Sequence, residues 1–131
     1  MRKRFLDADI NNKSWFRKLT AMEKTLWYYI STSCTYDGFF EYDDEAIQFY
    51  CNGYKGEIPK KIQEKMGMIK VDDNQYLLKN WLRFQYKELK QNVSTHKRII
   101  ERLRRKGLDQ HFPELKQPGQ EERQEDLEEW K

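Results

Sequence analysis

Residues 68–79 constrain the fold of this chain most. Met68-Ile-Lys-Val71 and Gln75-Tyr-Leu-Leu-Lys79 flank the polar triplet Asp72-Asp73-Asn74. Two short apolar segments around a polar tip read as a β-hairpin. Most of what precedes it reads as helix. Thr20-Ala-Met-Glu23 is a capping box, in which the Thr hydroxyl accepts from the N3 amide and the Glu carboxylate reaches back to the cap amide. The helix it starts runs to about Cys34. At a helical period, Met22, Leu26, Trp27, Tyr29, Ile30 and Cys34 share one broad face. Lys24, Thr25, Tyr28, Ser31 and Thr32 fall on the other.

The remaining elements are shorter. Residues 11–18 form a helical turn packed through Trp15 and Phe16. Asp37-Gly38 makes a turn, and residues 39–42 alternate as a short strand. Asp43 or Asp44 caps a second helix through Ala46, Ile47, Phe49, Tyr50 and Cys51, stopped by Gly53. A third helix runs from about Ile58 to Met66. Pro59 sits in its first turn, Ile62 and Met66 face the core, and Gly67 ends it. After the hairpin, residues 80–86 read as an aromatic connector docked by Trp81, Phe84 and Tyr86. Ser94 caps a last helix of about 95–106, closed by Gly107. Its apolar stripe is Ile99, Ile100 and Leu103, with His96 packed on that side. The fold class expected is mainly α with a small β wing: a winged helix-turn-helix followed by an extra C-terminal helix. Residues 1–108 form the domain, and residues 109–131 an acidic, flexible tail.

Composition removes several function classes. The chain has 131 residues, of which 36% are charged and 15% aromatic. It holds no apolar run near the roughly 18 residues of a membrane span, and its start lacks the apolar core of a secretory leader. Its aromatic content is too high for a wholly disordered chain. Cys34 and Cys51 show no CxxC spacing and no zinc pattern with His96 or His111. They read as free thiols in a reducing, cytoplasmic setting. No phosphate loop, dinucleotide fingerprint or nucleophile elbow occurs, so no enzymatic activity, cofactor or metal is expected. Asp43, Asp44 and Glu45 are read as cap and dipole partners of a helix start.

Charge is distributed unevenly. Residues 1–78 balance 12 basic against 12 acidic side chains. Residues 79–108 hold 10 basic side chains and only Glu88 and Glu101, a net of +8, while residues 109–131 carry a net of −5. A basic segment before an acidic tail points to a polyanion-binding surface and a solvated appendage.

The order helix, strand, helix, helix, hairpin, helix comes with stretches that resemble a known family. "WFRKLTAMEKTLWYYI", "DGFFEYD", "MGMIKVDDNQYLLKNWLRFQY" and "NVSTHKRIIERLRRKGL" resemble the N-terminal winged-helix domain of phage replisome organisers and DnaD-like replication initiation proteins. The resemblance spans roughly residues 1–108. It implies a DNA-binding protein of replication initiation whose partner is double-stranded DNA. The third helix is shorter than the family's usual recognition helix. Longer members carry a second domain for helicase or partner work, where this sequence has a short acidic tail.

With that fold, the candidate DNA-binding residues follow. On the third helix, Lys60, Lys61, Gln63 and Lys65, with Lys55 before it, suit base edges and phosphates. Lys70, Gln75 and Lys79 on the wing strands reach backbone, whereas the acidic tip Asp72-Asp73 argues against deep minor-groove insertion. Arg83 and Lys87 extend the basic surface along the connector. On the last helix, Arg98, Arg102 and Arg105 at i, i+4 and i+7 form one stripe roughly opposite Ile99, Ile100 and Leu103, flanked by Lys97, Arg104 and Lys106. Guanidinium forks suit phosphate geometry. The acidic tail has three readings: a competitor of DNA for those arginines, an anchor for a replisome protein through Leu127 and Trp130, or a solubilising appendage. Two other readings of the whole are a transcriptional regulator of the same fold and a protein-interaction module without DNA binding.

Overall fold

The computed structural model describes residues 3–115. They divide into two compact units, one up to Lys87 and a second from Glu88. The chain is mainly helical, with one small antiparallel sheet of three strands.

In the first unit, a 3-10 turn at Ile10–Asn12 leads into α1 (Ser14–Arg17) and then α2 (Ala21–Ser33). The capping box closes as the sequence requires. The Glu23 amide donates to the Thr20 hydroxyl at 3.1 Å, and the Thr20 amide donates to the Glu23 carboxylate at 2.8 Å. Leu26, Ile30 and Cys34 are buried, while Met22 at the helix start stays exposed. Ser31 departs from the expected polar face and is buried. Its hydroxyl donates within the helix to the Trp27 carbonyl at 2.8 Å. Its own carbonyl accepts from the Trp81 indole at 3.0 Å and from Arg4 at 3.4 Å. A polar side chain satisfied in this way is buried at little cost.

β1 (Phe39–Glu41) is followed by α3 (Asp44–Tyr50) and α4 (Lys60–Met66). Asp43 is the cap of α3, accepting from the Glu45 and Ala46 amides at 3.0 and 3.2 Å. The connection from Cys51 to Pro59 is long and mostly exposed. Pro59 occupies the cap position of α4 rather than its first turn, so the helix is two turns long and begins at Lys60. Ile62 and Met66 are buried, as their i, i+4 spacing demands. Gly67 ends the helix at φ 63°. A Cβ there would lie 2.9 Å from the Asn80 side chain, whose amide nitrogen donates to the Lys65 carbonyl at 3.2 Å.

The hairpin lies where the sequence places it. β2 (Met68–Lys70) pairs with β3 (Gln75–Leu78), and β3 pairs on its other side with β1, giving the order β1-β3-β2. Phe39 stands opposite Leu77, both buried, and Ile69 opposite Leu77 from the other side. Asp72 organises the tip: its carboxylate accepts from the Asn74 and Gln75 amides at 3.2 and 2.9 Å. Lys79 is not on the strand but opens a helix.

That helix, α5 (Lys79–Tyr86), stands where an aromatic connector is expected, and Phe84 on it is exposed rather than docked. Trp81, Leu82 and Gln85 fall at i, i+1 and i+4, one helical face. Trp81 and Leu82 are buried. The Gln85 amide donates to the Phe5 carbonyl at 2.7 Å, and its oxygen accepts from the Phe5 amide at 2.9 Å. The Tyr86 hydroxyl donates to the Tyr36 carbonyl at 3.1 Å. Tertiary partners from residues far upstream thus hold a segment whose aromatic spacing masks its helical period.

The second unit is built on α6 (Ser94–Arg105). Ser94 is its first residue rather than its cap. Val93 holds the cap position, with no side-chain cap bond. His96 is half-buried, and its Nδ1 accepts from the Lys90 amide at 2.9 Å. Ile99, Ile100 and Leu103 are buried. At the end of α6, the Leu108 amide donates to the Leu103 carbonyl at 2.8 Å and the Gly107 amide to the Arg104 carbonyl at 3.1 Å. With Gly107 at φ 71°, this is a Schellman closure. Two 3-10 turns follow, Asp109–His111 and Pro113–Leu115, with Phe112 and Leu115 buried. Of the expected acidic tail, residues 109–131, the part from 116 to 131, including Leu127 and Trp130, lies outside the described residues. Among the described residues no helix is long and apolar enough to cross a membrane, and no group of His, Cys, Asp and Glu is placed to hold a metal ion.

Candidate nucleic-acid interface

The basic candidates fall into two sets, one in each unit. In the first unit, α4 turns Ile62 and Met66 inward, so its helical period turns Lys60, Lys61 and Glu64 outward. The Lys61 ammonium lies 3.8 Å from the Glu64 carboxylate with both side chains well exposed. Such a pair is weak, but it lowers the positive charge that α4 presents. Gln63 is engaged elsewhere: its amide nitrogen donates to the Ile58 carbonyl at 2.6 Å, across the start of the helix. The Lys65 ammonium lies over the Trp15 ring, 5.5 Å from its centroid. Of the third-helix candidates, Lys60 and Lys61 alone therefore combine an outward position with freedom from a core-side partner. Glu64 on the same face is a residue the sequence reading did not weigh, although its i, i+4 spacing from Lys60 signals it.

The other first-unit candidates are dispersed. Lys55 is exposed on the connection before α4, and Lys70 is exposed at the end of β2. Lys79 is half-buried at the start of α5, where its amide donates to the Gly67 carbonyl at 3.1 Å. Arg83 donates to the Lys87 carbonyl at 3.3 Å, closing the end of α5, and Lys87 itself takes φ 54°. Trp81 is unavailable for stacking on a base, because its ring is buried and its indole N–H is bound to Ser31. The Cys34 thiol is buried, and desolvation pushes its pKa up to about 12 against the opposing effect of Arg4. Burial also raises that of Cys51. Neither thiol is fit to act as a nucleophile.

The second unit concentrates its charge. Lys97, Arg98 and Arg105 are exposed on α6, and Arg102 is half-buried. Arg98, Arg102 and Arg105 share the face away from the buried Ile99, Ile100 and Leu103. Glu101 interrupts this face with one carboxylate. Arg104 has a different role, closing the unit by donating to the Leu115 carbonyl at 3.1 Å. Arg102, Arg104 and Arg105 also complement the C-terminal end of the helix dipole. Lys97 and Arg98, near the other end, gain nothing from it.

No family model, curated protein or solved structure matches this chain.

Proposed function

We propose that the chain is a winged-helix protein that binds duplex DNA in phage-type replication initiation, within the cytoplasm. The element order supports the fold reading: α2, β1, α3 and α4 precede the hairpin, and β1 completes the sheet on the inner strand of that hairpin. The observation that carries the binding reading is the outward stripe of Arg98, Arg102 and Arg105 on α6, backed by a buried apolar face. A stripe of this kind neutralises phosphates and releases counterions, giving affinity without sequence choice. Sequence preference, where it exists, comes from the outward face of α4. No covalent chemistry is assigned.

The test is a mobility-shift titration of random duplex at several salt concentrations. The wild-type chain gives a steep fall of log affinity with log salt. Charge reversal at Arg98, Arg102 and Arg105 lowers that slope by about 0.9 for each lost phosphate contact. A folded triple variant with unchanged slope and affinity rejects the surface. A second reading, a protein-interaction module without DNA binding, is favoured by Phe49, which is 80% exposed on α3 beside the exposed Tyr50. Wild-type chain that shows no duplex binding even at low salt selects that reading.

A further inference from the structure

The first unit contains a cavity of about 220 Å³ that the DNA-binding reading does not use. Its inner wall is apolar and aromatic: Ile10, Trp15, Trp27, Met66 and Trp81. Its outer edge is apolar as well. Phe5, Leu6 and Phe84 line it and remain largely exposed, at 70%, 51% and 47%. Exposed apolar groups gathered around a concavity mark a binding surface.

The charges at this cavity have a direction. Asp7 and Lys13 line it and neutralise each other at 2.7 Å. This contact, chiefly the hydrogen bond from Lys13, lowers the pKa of Asp7. Lys65 also lines it. Its ammonium meets the Trp15 ring and no carboxylate among the described residues. An ammonium without a counter-charge at an apolar cavity selects an occupant that joins an apolar body to a negative charge.

We infer that this cavity docks an acidic peptide segment of a partner protein through one large apolar anchor side chain. The cavity volume suits a single aromatic side chain. The exposed rim of Phe5, Leu6 and Phe84 extends beyond it, as flanking peptide requires and a small metabolite does not. Lys65 then faces a carboxylate beside the anchor. The inference does not rest on the arginine stripe, which lies in the second unit.

The experiment uses the full chain labelled with ¹⁵N and follows the tryptophan indole N–H signals. The probe is the blocked peptide Glu-Glu-Phe-Glu-Glu, which has no indole of its own. Its expected effect is a saturable shift of the Trp15 and Trp27 signals. Replacing its Phe by Ala abolishes the shift, and replacing its Glu residues by Lys weakens binding about tenfold or more. Lys65→Glu, an exposed substitution compatible with folding, reverses the charge preference. Trp15 and Trp27 signals unmoved at millimolar peptide overturn the inference, as do equal shifts from the acidic and basic peptides. Phenylpropanoate binding as tightly as the peptide assigns the cavity to a small ligand instead. A thymidine oligomer that moves the same signals more strongly assigns it to a nucleobase. Duplex binding by the wild-type chain, with and without the peptide, measured in parallel, separates failure here from failure of the DNA-binding reading.

Discussion

α4 and α6 are both short amphipathic helices with basic residues and a buried apolar face, yet they spend their polar side chains differently. On α4, Gln63 ties down the helix start, Lys65 lies over Trp15, and Lys61 is drawn to Glu64. On α6, Arg104 holds Leu115 while Arg98 and Arg105 are exposed on the face away from the core and Arg102 is half-buried between them. For the proposed DNA surface, a count of cations therefore says less than where each side chain is engaged.

The sharpest way to break this comparison is to reverse charge on each helix in turn. Arg98→Glu, Arg102→Glu and Arg105→Glu together lower the salt slope of duplex binding by about 2.7, three contacts at about 0.9 each. Lys60→Glu with Lys61→Glu lowers it by no more than about 1.8 on the same basis. A larger loss from the α4 pair, measured by the same titration, inverts the ranking.

The ends of the two helices give the next largest contrast. Gly67 and Gly107 both take positive φ, so Ala at either position strains the backbone by about 1 kcal/mol. At Gly107 a Cβ meets nothing within 4 Å, whereas at Gly67 it meets Asn80 at 2.9 Å. Gly67→Ala therefore costs more than Gly107→Ala in urea unfolding, with the gap reduced when Asn80 is also truncated. Equal losses show that Asn80 moves aside freely.

Smaller effects come from the side chains engaged in holding structure. Gln63→Ala and Arg104→Ala each remove a bond to a backbone carbonyl and lower stability by about 1 kcal/mol. The Gln63 change leaves the affinity for duplex intact at fixed salt. A weaker affinity in folded Gln63→Ala returns that residue to the interface.

The smallest effect concerns Asp7. Its folded pKa is depressed below the ordinary 3.8 by Lys13. Its contribution is present above the unfolded pKa and is lost as pH falls through the folded one. Below pH 3.8, tryptophan emission from the Trp15 and Trp27 wall is expected to change in the wild type and less in Asp7→Asn.

Much of this architecture was legible because its signals are local. The Thr20–Glu23 box, the Asp43 cap, Gly67 and the hairpin around Asp72 each act within a few residues. α5 was not legible, because Trp81 answers to Ser31 and Gln85 to Phe5, partners 50 and 80 residues away in the chain. The same distance rule governs the site. The arginine stripe of α6 is read from its i, i+4, i+7 spacing alone. The orientation of Lys65 depends on Trp15, 50 positions upstream, which no periodicity announces.

The two buried thiols make the molecule its own stopwatch. Cys34 follows α2 and Cys51 follows α3, and each is at most 1% exposed. A thiol reagent reaches either one only when its surroundings open, so the labelling rate reports the opening equilibrium of that neighbourhood while the rest of the chain stays native. Chains retaining one cysteine at a time would clock two neighbourhoods of a single unit separately.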